Sequence, residues 1–313
     1  MKLSEDTLLK FVKGKIIRDA ELKNFTTFKV GGKVDFLVIP QDEEDIRITL
    51  SIARDKGIPL YIIGNGSNLL VSDEGVRGII IRISRVNFNK FNLKNSVLKS
   101  ESGVLLSKLI SYTVGQELSG MESLLGIPGT LGGAITMNAG TNGFSISQIL
   151  REIKVMDKNG RIKVVSKEEL GFSYRSSKIM EKKLVILEAV MELKKFKKDL
   201  INESLKRNFE KRKKTQPYSY PNAGCIFKNP QEKQAGWLIE RAGCKGLRVG
   251  GAEVSTKHAN FIVNRGNATF NDIVKLMELV RKRVLFKFGI ELKPEVLILG
   301  RDEGLPFKML EPW

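Results

Sequence analysis

Residues 33–40, KVDFLVIP, alternate in hydrophobicity like a strand, and residues 41–57, QDEEDIRITLSIARDKG, switch to helical spacing with Ile46, Leu50 and Ala53 on one face. Acids in the first turn and Gly57 at the end mark that helix's limits. Two apolar runs, IPLYIIG and VRGIIIRI, then read as strands and complete a β-α-β-β unit, with the loop GNGSNLL leaving the second strand.

From about Val86 the pattern becomes strand-rich, interrupted by VLLSKLISYTVGQELSG, where Leu106, Ile110 and Val114 recur one turn apart and Gly120 is the expected stop. EIKVMDKNGRIKVVS reads as a hairpin turning at Asn159-Gly160, and KKLVILEAVMEL as a further buried strand. The charged run at residues 195–214 is the expected boundary to a third region. That region reads as strand GCIFKNP, helix QAGWLIERAG ending at Gly243, strands around AEVS and ANFIVN, and helix FNDIVKLMELVRKRVLFKFG ending at Gly289. The last apolar run, ELKPEVLILG, reads as a strand returning to an earlier sheet.

At 313 residues, 42% hydrophobic and 28% charged, the chain has the size of two or three domains and an ordinary globular composition. It shows no leader-like apolar segment and no apolar run near the length of a membrane span, so a cytoplasmic protein without membrane attachment is expected. Two cysteines, Cys225 and Cys244, and one histidine, His258, match no disulfide framework or zinc pattern, so no metal site is expected. A Ser-His-Asp or Cys-His hydrolase would have to use His258. The net charge of +18 is compatible with a solvated basic helix, with steering of an anionic ligand, or with nucleic acid. Acids interleave the basic run of residues 194–214, which favours the solvated helix, and no nucleic-acid signature is present.

Against that charge, two stretches stand out as nearly bare: IIGNGSNLLVS at residues 62–72 and GIPGTLGGAITMNAG at residues 126–140. Glycine lets backbone N–H groups approach an anion closely. Alone, each stretch fits a tight turn equally well; together they fit a clamp on a phosphate-bearing cofactor. PGTLGGA adds a helix start, where N–H groups favour phosphate. Asn65, Ser67, Asn68, Thr130 and Asn138 offer neutral hydrogen-bonding side chains beside the glycines.

TTFKVGG, GNGSNLLVSDEGVRGIII, GIPGTLGGAITMNAGTNG, YRSS, NAGCIFKNP, KHANFIVN and LKPEVLILG occur in that order. Together they resemble the UDP-N-acetylenolpyruvoylglucosamine reductase family over residues 25–300. The resemblance implies an α+β protein: a two-part FAD-binding domain of the vanillyl-alcohol-oxidase (PCMH) type and a smaller α/β substrate-binding domain. The expected division is a lead-in at 1–20, an FAD-binding domain at 21–200 in two parts (21–85 and 86–200), a substrate domain at 201–290, and a returning strand at 291–313. It also implies reduction of an enolpyruvyl UDP-sugar by NADPH through noncovalent FAD, in a protein expected to be a monomer.

The residues carried over for FAD are Gly64, Asn65, Gly66, Ser67, Asn68 and Leu69 in the first stretch, and Ile127, Pro128, Gly129, Thr130, Gly132, Gly133, Asn138, Ala139 and Gly140 in the second. For catalysis they are Arg175, whose planar fork suits a carboxylate, Glu295, and Cys225, which stands where many family members have serine. A thiol with a pKa near 8.5 would be the stronger acid for protonating a carbanion. For substrate they are Tyr174, Asn229 and His258, with one of Lys211, Arg212, Lys213 or Lys214 at the diphosphate. The spacing from Arg175 to Cys225 is too short for the tyrosine-bearing loop of one family branch, so the shorter second type is implied. His258 and Cys225 lie far along the chain from both glycine stretches, which is the reason for expecting noncovalent FAD. The competing readings are another flavin oxidase or dehydrogenase, and a basic nucleotide- or nucleic-acid-binding protein.

Overall fold

In the computed structural model, which describes residues 8, 10–141, 143–231, 233–300 and 307–313, the chain forms three packed bodies. The first holds β1 (Lys15–Glu21), β2 (Lys33–Ile39), α1 (Glu43–Asp55), β3 (Leu60–Ile63), β4 (Leu69–Val71) and β5 (Val76–Arg82). Its sheet runs β1-β2-β5-β3, with β2, β5 and β3 parallel and β1 antiparallel at the edge. The Asp42 side chain accepts from the Asp45 N–H at 3.0 Å and starts α1, whose Ile46, Leu50 and Ala53 pack on Ile79 and Ile81.

The second body contains β6 (Phe91–Lys94), β7 (Val97–Glu101), α2 (Leu106–Gly115), α3 (Leu131–Thr136), β8 (Leu150–Met156), β9 (Ile162–Ser166), β10 (Val185–Glu192) and α4 (Lys198–Thr215). Its antiparallel sheet is ordered β9-β8-β10-β7-β6. The β8–β9 hairpin turns as expected, Asp157 Oδ1 accepting from the N–H groups of Asn159 and Arg161 while Gly160 adopts φ +77°. α2 stops at Gly115 and does not reach Gly120, because Leu118 and Ser119 pair with Lys195 and Lys194. α4 carries the basic run on its solvated face and buries Ile201 in the second core. It spans the expected boundary at residue 200, so its packing attaches it to the second body.

The third body holds α5 (Ala235–Arg241), β11 (Arg248–Val249), β12 (Ala252–Val254), β13 (Ile262–Asn264), α6 (Phe270–Phe288) and β14 (Leu297–Leu299). Thr269 and Asp272 form a reciprocal cap at the start of α6, and Gly289 ends it at φ +68°. This core is shared: Phe28, Val30 and Leu70 of the first body pack among Ile226, Phe227, Leu238 and Met277. Asp73 Oδ2 accepts from the Phe270 N–H at 2.7 Å, and Asn264 Nδ2 donates to the Phe28 carbonyl at 3.2 Å. The final apolar run does return to the first body, as β14 pairs parallel with β4 from Leu297 opposite Leu69 to Leu299 opposite Val71. Residues 224–230 form no ladder strand; Cys225 bridges only to Phe261 and Phe227 only to Pro294.

Candidate active site

The loop 64–68 follows directly from β3, and among the described residues no protein group accepts from its five backbone N–H groups. Asn65 Nδ2 donates to the Pro128 carbonyl at 2.6 Å, and a Cβ on Gly64 would lie 2.5 Å from Thr130 Oγ1, so the two glycine stretches meet edge to edge. They line a cavity of about 2190 Å³. Ordinary ligand pockets reach about 1,000 Å³, so this one has room for a dinucleotide and a second ligand. Every residue carried over above for cofactor, substrate and catalysis lines it, except Lys213 and Lys214 among the diphosphate candidates.

Two expectations about the cradle need correction. The start of α3 is not open to phosphate: Leu131 and Gly132 N–H donate to the carbonyls of Val104 and Ser102 at 2.8 Å each, and Gly133 N–H to Thr130 Oγ1 at 3.4 Å. The free donors belong to the first loop instead. The neutral side chains are also mostly spent within the protein: Asn68 Nδ2 donates to the Glu295 carbonyl at 3.1 Å and Asn138 Nδ2 to the Ser173 carbonyl at 2.8 Å. With Asn65 and Thr130 they shape the cradle, while Ser67 has no side-chain partner among the described residues. Ser102 Oγ, on the same wall, is buried without a partner. Acceptor-free N–H groups, an orphaned hydroxyl and surplus volume fit a bound pyrophosphate cofactor such as FAD.

Gly66 is the most constrained position of this loop. It sits at φ +64°, and a Cβ there would collide with the Phe25 carbonyl. Gly66→Ala is expected to cost more than about 1 kcal/mol in stability and to leave the purified protein depleted of flavin, read as the ratio of visible to ultraviolet absorbance.

The reactive groups converge beside the cradle. The loop 173–176 closes on itself through Ser173 N–H to the Ser176 carbonyl at 3.0 Å and Ser176 N–H to the Ser173 carbonyl at 3.2 Å, with Arg175 at φ +53° on its tip. Asn138 and the Ser177 hydroxyl, which donates to the Thr136 carbonyl at 2.7 Å, tie this loop to the second glycine stretch. Arg175 Nε lies 2.8 Å from Glu295 Oε1. The two side chains thus form a close, largely buried ion pair. Burial pushes the Glu295 carboxyl above the usual carboxylate range, opposed by Arg175 and by Lys228.

Cys225 reaches the same place by a different device. Asn260, itself buried, accepts from Phe227 N–H through Oδ1 at 3.0 Å and donates from Nδ2 to the Phe227 carbonyl at 2.8 Å, while its own carbonyl takes Ile226 N–H at 2.9 Å. Glu295 N–H donates to the Ile226 carbonyl at 2.7 Å, so one segment fixes the thiol relative to the carboxylate. Burial, reinforced by the Glu295 charge, pushes the Cys225 thiol up to about 12, against the opposing pull of Arg175 and Arg212. The premise of a thiol near 8.5 is thereby corrected: Cys225 stays protonated at neutral pH and gains less acidity over serine than its ordinary value implies. Alkylation of Cys225 by iodoacetamide, followed by mass spectrometry of the peptide, is expected to accelerate with pH without levelling off below pH 10.

Of the four basic candidates, Lys211 and Arg212 line the cavity. Arg212 donates to the Ser123 carbonyl at 3.4 Å, and its charge acts on both Cys225 and Arg175. His258 Nδ1 accepts from Asn260 N–H at 3.2 Å, and burial followed by Lys245 lowers its pKa, which leaves a neutral ring with Nε2–H as its donor. Asn229 Oδ1 accepts from Ala235 N–H at 2.9 Å at the start of α5. Cys225 and His258, remote from the glycine stretches along the chain, line the same large cavity. Asn260 was not singled out from the sequence, although it lies in the same KHANF run as His258.

Comparisons with known proteins agree with this geometry. Residues 34–166 match an FAD-binding domain model, and residues 216–299 match the C-terminal domain model of UDP-N-acetylenolpyruvoylglucosamine reductase. The reductase of Clostridium tetani is 45% identical over 90% of this chain and 91% of its own, and that of Desulforamulus reducens is 42% identical over 94% and 97%. The crystal structure of the reductase from Thermus caldophilus covers 92% of this chain and 100% of its own at 36% identity, with a TM-score of 0.79. A glucose dehydrogenase, 12% identical over 62% of this chain and 45% of its own with a TM-score of 0.50, shares the fold alone.

Proposed function

The chain belongs to the UDP-N-acetylenolpyruvoylglucosamine reductase family, and from that premise we propose how its own residues carry the reaction. The activity is the NADPH-dependent reduction of the enolpyruvyl double bond of UDP-N-acetylglucosamine enolpyruvate to UDP-N-acetylmuramate, a step in peptidoglycan precursor synthesis. FAD, when bound, supplies the transfer of hydride equivalents from NADPH to C3 of that double bond. The N–H groups of residues 64–68 and the Ser102 hydroxyl would hold its phosphate-bearing part.

As a hydride arrives at C3, an electron pair develops at C2 and spreads into the adjoining carboxylate. Arg175, paired with Glu295, meets that charge with its planar cation. Glu295 orients Arg175 and, with its raised pKa, can also carry a proton near the substrate carboxylate. Cys225 delivers its Sγ proton to C2, and the resulting thiolate recovers a proton from solvent. Lys211 and Arg212 meet the diphosphate, with Tyr174, Asn229 and His258 on the remaining wall. The reading extends to a monomer in the cytoplasm.

The convergence of Arg175, Glu295 and Cys225 beside an acceptor-free backbone loop is the observation that supports this assignment most. Anaerobic visible spectra test it. Flavin bands should bleach with NADPH and return when the enolpyruvyl UDP-sugar is added; bands that bleach without returning would move the assignment to another substrate.

A further inference from the structure

Tyr220 lies on the cavity wall between α4 and Cys225, with about 36% of its surface exposed. Its backbone is fixed, since Asn222 Nδ2 donates to the Tyr220 carbonyl at 2.9 Å and Asn264 N–H donates to the Pro221 carbonyl at 2.9 Å. Its ring is fixed as well: the Arg265 guanidinium sits 4.1 Å from the ring centroid, within the range of a cation–π stack. Arg265 is in turn anchored, its Nε 3.5 Å from Oε2 of Glu253, a carboxylate only 5% exposed that also pairs with Arg248. Burying a carboxylate is costly unless it is paired, and this pairing serves no step of the reaction described above. Its visible product is an aromatic ring held in one orientation at the cavity edge.

The position of that ring relative to the chemistry follows from the strand register. Cys225 bridges to Phe261, and Arg265 lies four residues further along the same extended segment, or about 13 Å at 3.3 Å per residue. On the reductase reading the reacting double bond lies beside Cys225, its proton donor. The uracil of a UDP-sugar lies beyond a sugar and a diphosphate from the reacting carbons, a separation of the same order. We propose that Tyr220, backed by Arg265 and Glu253, is the platform on which the uracil ring of the substrate stacks. This rests on the reductase reading.

Tyr220→Leu tests it, with UDP alone as the binding probe and the enolpyruvyl UDP-sugar for kinetics. Loss of one ring stack should weaken UDP about tenfold and raise KM for the UDP-sugar by a similar factor, with kcat unchanged. Anaerobic bleaching by NADPH should keep its rate and also report an intact fold. Tyr220→Phe should restore UDP affinity. Arg265→Leu should weaken UDP by a smaller factor, because the ring remains but is no longer held. Unaltered UDP affinity in Tyr220→Leu overturns the platform and leaves the reductase reading standing; slower NADPH bleaching with normal UDP affinity overturns it in favour of a nicotinamide contact. Failure of the parent protein to reoxidise with the UDP-sugar would be a failure of the reductase reading itself.

Discussion

Cys225→Ala is expected to slow turnover by about 10²- to 10⁴-fold, the range for losing a positioned general acid, while reduction by NADPH keeps its rate. The thiol is aligned by the Asn260 splint and by the bond from Glu295 N–H to the Ile226 carbonyl, both backbone-level devices that alanine leaves intact. The loss should therefore fall on protonation at C2 and not on assembly of the site. Cys225→Ser should retain part of the activity, since its hydroxyl occupies nearly the same place. Even pushed up to about 12, the thiol remains a better acid than water at 15.7, so serine should not exceed it. Stopped-flow reoxidation of the reduced enzyme by the enolpyruvyl UDP-sugar isolates this step; full activity in Cys225→Ala would exclude the donor role.

Arg175→Ala is expected to reduce kcat by about 10²- to 10³-fold, comparable to removing a donor from a developing oxyanion. It has a second consequence that a simple loss of binding would lack. Arg175 is the leading influence holding the buried Glu295 carboxyl down, so removing it lets that pKa rise further above its ordinary value. The limb of the pH–rate profile governed by Glu295 should move to higher pH. The sign for stability follows: a carboxyl whose folded pKa is raised loses stability as pH increases from its unfolded value, near 4.3, through its folded value. Arg175→Ala should widen that window, and denaturant midpoints measured across it should show a steeper fall than the parent. Arg175→Gly separates charge from backbone strain, because it relieves φ +53° yet should lose the same rate.

Much of this was legible from residue spacing. α1 forms where Ile46, Leu50 and Ala53 line up, the hairpin turns at Asn159-Gly160, and residues 62–72 and 126–140 face one cavity. The errors arise where a long-range partner overrides a local signal. α2 ends early because Leu118 and Ser119 find Lys195 and Lys194, far along the chain, and the helix start in PGTLGGA is closed by carbonyls of Ser102 and Val104. Residues 224–230 read as a strand but form no ladder, because the Asn260 side chain takes the Phe227 bonds that a neighbouring strand would take. The acidity of Cys225 was illegible for a related reason: it depends on burial and on Glu295, seventy residues later.

The shared third core also sets an order of events during synthesis. Phe28, Val30 and Leu70 begin to find their neighbours only when residues 223–239 are made and find the last of them with α6, and β4 finds its partner only at Leu297. At about 5–20 residues per second, a ribosome needs roughly 11–45 s to travel from residue 73 to residue 299. During that interval the emerging first body carries an uncovered apolar face, a surface on which chaperones would act. A fragment ending before α6 should accordingly aggregate even though its own sheet is complete.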